Sequence, residues 1–270
     1  MLHNRTKARL RRGEPVVGTF VYLNDPAVVE IIGSAGFDFV IIDTEHVARQ
    51  GAVVENLVRA AELSDVTPLI RVHENNEKTI LRALETGAQG LVIPFVESAD
   101  DVRRALRAMH YPPEGERGAC YYTRASSWGS QGADFADYAQ ECNRELLLVG
   151  LIESAAGVEN IAEIVDAGLE VPFVGRRDLC ASLGVMDIHH PDVRAAVDRV
   201  YQVACGRQEQ WAGILSYDPE EDRMWRAQDV RFFCHSIDVA VLAKTYAERA
   251  QELHEAVGYS DAMAGAGIPA

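Results

Sequence analysis

The sequence predicts a single (β/α)8 barrel of the TIM type, an α/β fold, on three observations. Short apolar runs rich in branched residues recur along the chain, each is followed by a segment with helical periodicity, and eight such alternations fill the 270 residues. Nearly half of the residues are apolar, enough for one large core. We assign residues 1–258 to the barrel domain. Residues 259–270, which contain the small, glycine-rich AMAGAGIPA, are read as a flexible tail or one lying on a partner.

Residues 4–12 are basic and polar with few apolar positions, which suits a short surface helix leading into the first strand, VVGTFV. Asp25 and Pro26 then form a helix start, a capping side chain followed by proline at the first helical position, and Gly36 is the stop. The strand FDFVIID follows, then a helix over about 53–63, the strand PLIRV, a helix over about 77–86, the strand GLVIPFV and a helix over about 100–110. The segment YPPEGERGACYYTRASSWGSQG breaks this rhythm. A loop of that length inside a compact domain is usually functional, and Arg124 and Trp128 within it are candidates for closing over a site.

After a helix over about 134–143, the apolar run LLLVGLIE ends in Glu153 and the run VPFVGRRD ends in Asp178, with a helical segment between them. That is a βαβ unit with two buried parallel strands. Right-handed crossover puts both strand ends on one rim, about 4.8 Å apart for neighbouring strands, so the two carboxylates can share a divalent cation. A helix from Pro191, the strand WAGILS, a helical segment after Pro219, the strand RFFCHS and a last helix over about 239–257 complete the alternation.

Charge and cysteine content narrow the function. With 26 Lys and Arg against 41 Asp and Glu, the formal charge of −15 repels phosphate backbones and anionic membrane surfaces. Five scattered cysteines without C-x-x-C spacing suggest neither a disulfide framework nor a zinc knuckle, and point to a reducing cytoplasm. No apolar stretch approaches membrane-spanning length, and no signal peptide is recognised. Walker, dinucleotide and G-x-S-x-G motifs are missing from the sequence.

In a barrel of this kind the site is built at the C-terminal ends of the strands. Residues falling there are Asp43, Glu45 and His46 after the second strand, Arg71 after the third, Glu153 after the fifth and Asp178 after the sixth. Glu153 and Asp178 are hard oxygen ligands that leave positions open on an octahedral cation, although each could instead cap a helix or pair with arginine. Asp43 stands three residues before His46, near enough to hold one ring nitrogen and leave the other as a base, against the plainer reading of a surface histidine. Arg71 closes a buried strand and must meet an anion, either a substrate or a structural partner such as Glu45 or Asp43. Asp187, His189 and His190 form a weaker metal candidate in a loop, and Cys180 reads as a packing residue.

The motifs FDFVIIDTEH, TPLIRV, ALETGAQGLVIPFVESADD, YPPEGERG, RASSWG, LIESAAGVENIAEI and FVGRRDLCASLG, in this order, resemble the HpcH/HpaI family of metal-dependent (class II) pyruvate aldolases. The resemblance covers residues 13–184 and is looser beyond. It implies a TIM barrel, assembled as a hexamer in which the last helix of one subunit packs on another. It implies Mg2+, Mn2+ or Co2+ held at Glu153 and Asp178, His46 with Asp43 as the base system, and Arg71 steadying a pyruvate enolate during aldol cleavage or addition. Substrates would be a 2-oxo acid with an aldehyde or another anionic partner.

The sequence departs from the family pattern at two points. Gly175-Arg176-Arg177 replaces the usual Gly-Pro and small or amide residue, and Leu151 stands where glutamine is usual. The added charge at Arg176 and Arg177, beside Gly175, points to a more anionic substrate. A branch of the family that makes citrate from oxaloacetate and acetyl-CoA is the first alternative. A barrel that has lost activity and serves as a binding or scaffold subunit is the second.

Overall fold

The protein is described from a computed structural model covering residues 3–49, 51–130 and 134–259. Eight parallel strands pair in chain order and close into a barrel. They are β1 (Val16–Val21), β2 (Phe39–Asp43), β3 (Thr67–Arg71), β4 (Gly90–Ile93), β5 (Leu147–Ile152), β6 (Val171–Val174), β7 (Gly213–Ser216) and β8 (Phe232–Ile237). The helices are α1 (Arg5–Arg11), α2 (Pro26–Ser34), α3 (Ala52–Leu63), α4 (Glu77–Glu85), α5 (Ala99–Met109), α6 (Phe135–Glu145), α7 (Ala155–Glu159), α8 (Ile161–Asp166), α9 (Arg176–Ser182), α10 (Pro191–Ala204), α11 (Pro219–Ala227) and α12 (Asp238–Ala256). No described helix is long and apolar enough to cross a membrane.

The strands are short because each ends where its chain turns outward. The apolar run expected to form the fourth strand stops at Ile93, and the sixth stops at Val174, so Arg176 and Asp178 lie in the first turn of α9 rather than in a strand. The segment between β5 and β6 is two helices, with Asn160 closing α7 and opening α8. The helix starts follow side-chain chemistry. Asp25 accepts from the Ala27 amide ahead of α2, and Ser98 and Asp101 form a reciprocal cap on α5.

Two apolar layers fill the fold. Inside the barrel Phe39 and Phe232 stack with centroids 4.1 Å apart, and Phe173 meets Phe232 edge-on. Gly18 makes room for this stack, since a Cβ there would lie 2.2 Å from the Phe39 ring. Outside the strands a larger layer, including Ile42, Ile70, Leu148 and Val174, packs against the helices.

Helix α1 is not the surface helix that its composition suggests. It plugs the N-terminal end of the barrel, with Asn4, Thr6, Lys7 and Leu10 buried. Asn4 donates to the carbonyls of Gln89 and Glu145, Thr6 meets Thr67, and Lys7 pairs with Glu170 at 2.7 Å. Polar side chains suit this position because the strand starts offer unpaired backbone groups there. The segment Pro112–Ser130 follows a helix rather than a strand, so it also lies at this end. Arg124 within it pairs with Glu62 and donates to the Thr86 carbonyl. It does not reach the rim of its own barrel, which corrects the expectation that it closes over the site. The tail beyond residue 259 falls outside the described residues.

Candidate active site

Register places the site. Asp43 and Arg71 are directly paired at the ends of β2 and β3, and Ile152 pairs with Val174, which aligns Glu153 with Gly175. These ends open into a cleft of ≈ 330 Å³. Tyr22, His46, Arg71, Glu153, Arg177 and Asp178 give it polar walls, and Leu151, Phe173, Ile188 and Leu215 give it apolar ones.

Arg71 is the most constrained group. Its Nε and Nη2 donate to the two oxygens of the fully buried Asp43 at 2.9 and 2.8 Å, and Nη2 also donates to the Tyr22 hydroxyl at 3.2 Å. Glu45 approaches Nε at 3.3 Å, and the Phe20 ring lies 4.8 Å from the guanidinium carbon. Burial opposes the charge of Arg71, but the bonds and charge of Asp43 outweigh it and hold its pKa above the ordinary value. The same contest keeps the Asp43 carboxyl below its usual range. A bidentate pair of this kind fixes the plane of the guanidinium. Nη1 has no partner among the described residues, and it is the nitrogen left for a ligand.

Asp43 does not hold the His46 ring, as the spacing had suggested. Both of its oxygens face Arg71, and it also accepts the backbone N–H groups of Glu45 and His46 at 2.9 and 3.3 Å. It therefore shapes the turn after β2. The exposed His46 ring instead stands 3.8 Å from Glu45 through Nε2.

Glu153 is 4% exposed and accepts one hydrogen bond to Oε1, from the Phe95 amide at 2.8 Å. Its Oε2 faces Gly175, where a Cβ would come within 2.7 Å. Burial pushes its carboxyl up to about 7, with Asp178 and Glu45 adding to the rise. Burial likewise raises Glu45. A buried carboxylate facing other carboxylates, with a single amide donor, is the electrostatic situation that a divalent cation relieves. Glu153 with the exposed Asp178 on α9 fits such an ion as a pair of oxygen ligands. No group of three or more His, Cys, Asp and Glu suited to a metal occurs among the described residues, so remaining positions would fall to water and substrate.

The two adjacent arginines separate. Arg176 is buried, pairs through both terminal nitrogens with Glu221 of α11, and donates to the Leu215 carbonyl at 3.1 Å. Its guanidinium is thereby engaged in joining α9 to α11, and is not the free substrate group expected from sequence. Arg177 is exposed on the cleft wall and has no ion pair among the described residues. His190 caps α10 by accepting from the Asp192 amide, and Asp187 accepts from the His189 amide, so that loop is built from turns. Cys180 is buried, as a packing residue should be. Tyr22 is the site residue that motif reading passed over. It directly follows β1, and the strand-end rule could have found it.

A closed barrel whose rim gathers an arginine held by carboxylates and a second, underneutralised carboxylate group is the architecture of a barrel enzyme acting on small anions. Comparisons identify the kind. A sequence model of the HpcH/HpaI aldolase/citrate lyase family matches residues 17–245. The chain is 32% identical over 258 residues to a hydroxypyruvate/pyruvate aldolase of Paraburkholderia phytofirmans, covering 93% of this chain and 97% of that one. It is also 32% identical over 240 residues to a 5-keto-4-deoxy-D-glucarate aldolase of Shigella dysenteriae, covering 88% and 92%. Among solved structures, an HpcH/HpaI aldolase from Desulfitobacterium hafniense superposes with a TM-score of 0.88 at 30% identity, covering 94% of this chain and 98% of that one. The citrate synthase SbnG gives 0.84 at 27% identity, covering 93% and 98%. The chain belongs to the HpcH/HpaI aldolase/citrate lyase family. It is an enzyme, a carbon–carbon lyase of the aldolase type.

Proposed function

We propose that the protein catalyses reversible aldol cleavage and addition with pyruvate, or a close 2-oxo acid, as the nucleophilic component. The observation that carries this reading is Glu153. It is a buried carboxyl raised to about 7 beside Asp178 and Glu45, and it lines the same cleft as Arg71. Glu153 and Asp178 would hold a divalent cation, Mg2+, Mn2+ or Co2+. When bound, such an ion supplies Lewis acidity to the substrate carbonyl.

The remaining roles follow from the side chains. Arg71 offers Nη1 to the negative charge that develops on the C2 oxygen, and its fixed plane removes the need to reorganise. His46 takes the proton from the C4 hydroxyl of the aldol as the C3–C4 bond breaks. The bonding pair moves into the C2–C3 unit, the aldehyde departs, and C3 takes up a proton to give pyruvate. Glu45 lies 3.8 Å from the His46 Nε2.

Arg177 would bind an anionic end of the partner substrate. The related glucarate aldolase is named for a dicarboxylate, and Arg177 supplies a matching charge here. Gly175 serves by leaving room for the Glu153 carboxylate. The exposed apolar residues Val241, Leu242 and Leu253 on α12 support a homo-oligomer, with a hexamer as the expected form. A Claisen reaction of oxaloacetate with acetyl-CoA is the second reading, favoured by the likeness to SbnG. A scaffold without activity is disfavoured, because its rim would have no need of a buried carboxylate facing two others.

The test is exchange of the pyruvate methyl protons in D2O, followed by NMR with and without EDTA. Oxaloacetate and acetyl-CoA are assayed alongside for release of free CoA. Exchange that EDTA stops is the expected result. CoA release without exchange would move the assignment to the Claisen reading, and silence in both would remove the aldol proposal.

A further inference from the structure

We propose that Asp238 and Arg49 are positioning residues for Arg71, acting through Tyr22. The inference rests on the role proposed above for Arg71, and it begins with a backbone problem. Strand β1 ends at Val21, so the polar backbone groups of Tyr22 and Leu23 have no place in the barrel ladder. All four are taken by two buried side chains. Asp238 accepts the amides of Tyr22 and Leu23 at 2.9 and 3.0 Å, one on each carboxylate oxygen. Arg49 donates to the carbonyls of the same two residues, to Leu23 at 3.0 Å and to Tyr22 at shorter range.

Both side chains are unusual for where they lie. Arg49 is 4% exposed and Asp238 is 5% exposed, and neither makes a direct salt bridge among the described residues, although the charges of Asp43 and Asp238 act on Arg49. The further contact of Asp238 is the amide of Val239 at 2.7 Å. The Arg49 Nε is buried without a partner among the described residues. Burying a cation and an anion to secure two residues of backbone is costly, and neutral side chains could satisfy most of these groups. The arrangement is intelligible if the placement of those two residues matters. The amides turn to the anion and the carbonyls to the cation, and together the two side chains resist displacement of the segment.

Tyr22 is what the clamp holds in place. Its hydroxyl receives the Arg71 Nη2 hydrogen bond at 3.2 Å, beside those that the guanidinium gives to Asp43. Asp43 holds the plane of Arg71 through Nε and Nη2, and the Tyr22 hydroxyl gives Nη2 a further acceptor that constrains the same guanidinium. If the clamp loosens, Tyr22 withdraws and the unpartnered Nη1 loses its aim. Arg49 and Asp238 come from segments distant in sequence, the loop after β2 and the first residue of α12, and the barrel closure between β1 and β8 brings Asp238 to the segment.

The test uses the full-length enzyme loaded with Mn2+ and reads kcat and KM for pyruvate methyl exchange. The variants are Asp238→Asn, Arg49→Met, Tyr22→Phe and the two double replacements with Tyr22→Phe. Expected for Asp238→Asn and Arg49→Met is a fall in kcat of roughly tenfold at nearly constant KM, with Mn2+ affinity by electron paramagnetic resonance unchanged. In the Tyr22→Phe background each should cost less than about twofold, because the hydroxyl they position is already gone. Undiminished costs in that background, or a loss confined to melting temperature with kcat intact, would show a purely structural clamp and overturn the inference. If Asp238→Asn does not fold, the Arg49→Met cycle decides alone. Absence of exchange in the unaltered enzyme would remove the proposed role of Arg71, and this inference with it, whereas exchange with additive effects removes the inference only.

Discussion

Both ends of the barrel bury arginines against carboxylates, but the charges balance at one end and not at the other. At the strand N-termini Arg117 pairs with Glu85 at 2.9 Å, Arg124 with Glu62, and Lys7 with Glu170, one to one. The cavity on that side, lined by Arg117, Arg124, Trp128 and Tyr138, is the larger, ≈ 560 Å³ against ≈ 330 Å³ at the rim. At the rim, Asp43 neutralises Arg71, and Glu45, Glu153 and Asp178 remain with the exposed Arg177. Matched pairs are a means of closing a barrel end. An excess of negative charge gathered around a buried carboxylate requires a partner that the chain does not itself supply, and so it marks the chemistry better than volume does.

Replacements at the two ends test this contrast. The largest effect is expected from Glu153→Ala. It should abolish Mn2+ binding and lower turnover by roughly a thousandfold or more, the loss of several kcal/mol of Lewis-acid stabilisation, while circular dichroism stays native. Turnover retained with metal still bound would refute the surplus-charge reading. Next is Arg71→Lys, which keeps the charge but cannot reproduce the fork across Asp43. A fall in kcat on the order of a hundredfold is expected, and near-normal exchange would make Arg71 a structural residue.

Lys7→Met probes the balanced end. Leaving Glu170 without its partner should lower stability by about 3 kcal/mol, read from urea unfolding, with kcat/KM of the folded enzyme unaltered. A loss of activity without a loss of stability would mean that the two ends are not separable. The smallest effect is expected for Arg177→Ala, a KM raised about tenfold for a dicarboxylate partner, equivalent to about 1.4 kcal/mol, with little change for an uncharged aldehyde. Equal KM for both substrates would take Arg177 out of the site.

Much of this organisation was legible in the sequence. All eight strands were visible because parallel strands buried on both faces read as continuous apolar runs. The direction of the strands then placed Asp43, Arg71, Glu153 and Asp178 at one rim without reference to their contacts. Pairing was not legible. Spacing offered the His46 ring to Asp43, but the β2–β3 register gave Asp43 to Arg71. Arg176 and Arg177 look equivalent in sequence, yet one turns inward to Glu221, 45 residues away, and the other stays in the cleft wall. Arg124 lies at the opposite end for a reason the sequence does contain, since its loop follows a helix rather than a strand.

The sequence by itself determined the barrel, its strand order and the supply of carboxylates and arginine to one rim, because hydrophobic periodicity and chain direction are local properties that fix which way each strand end points. Tertiary structure decided which charges cancel. Register between strands, the inward turn of α1 and the approach of β8 to β1 set distances between residues far apart in the chain. Those distances leave Arg71 with one nitrogen unpartnered among the described residues and Glu153 underneutralised.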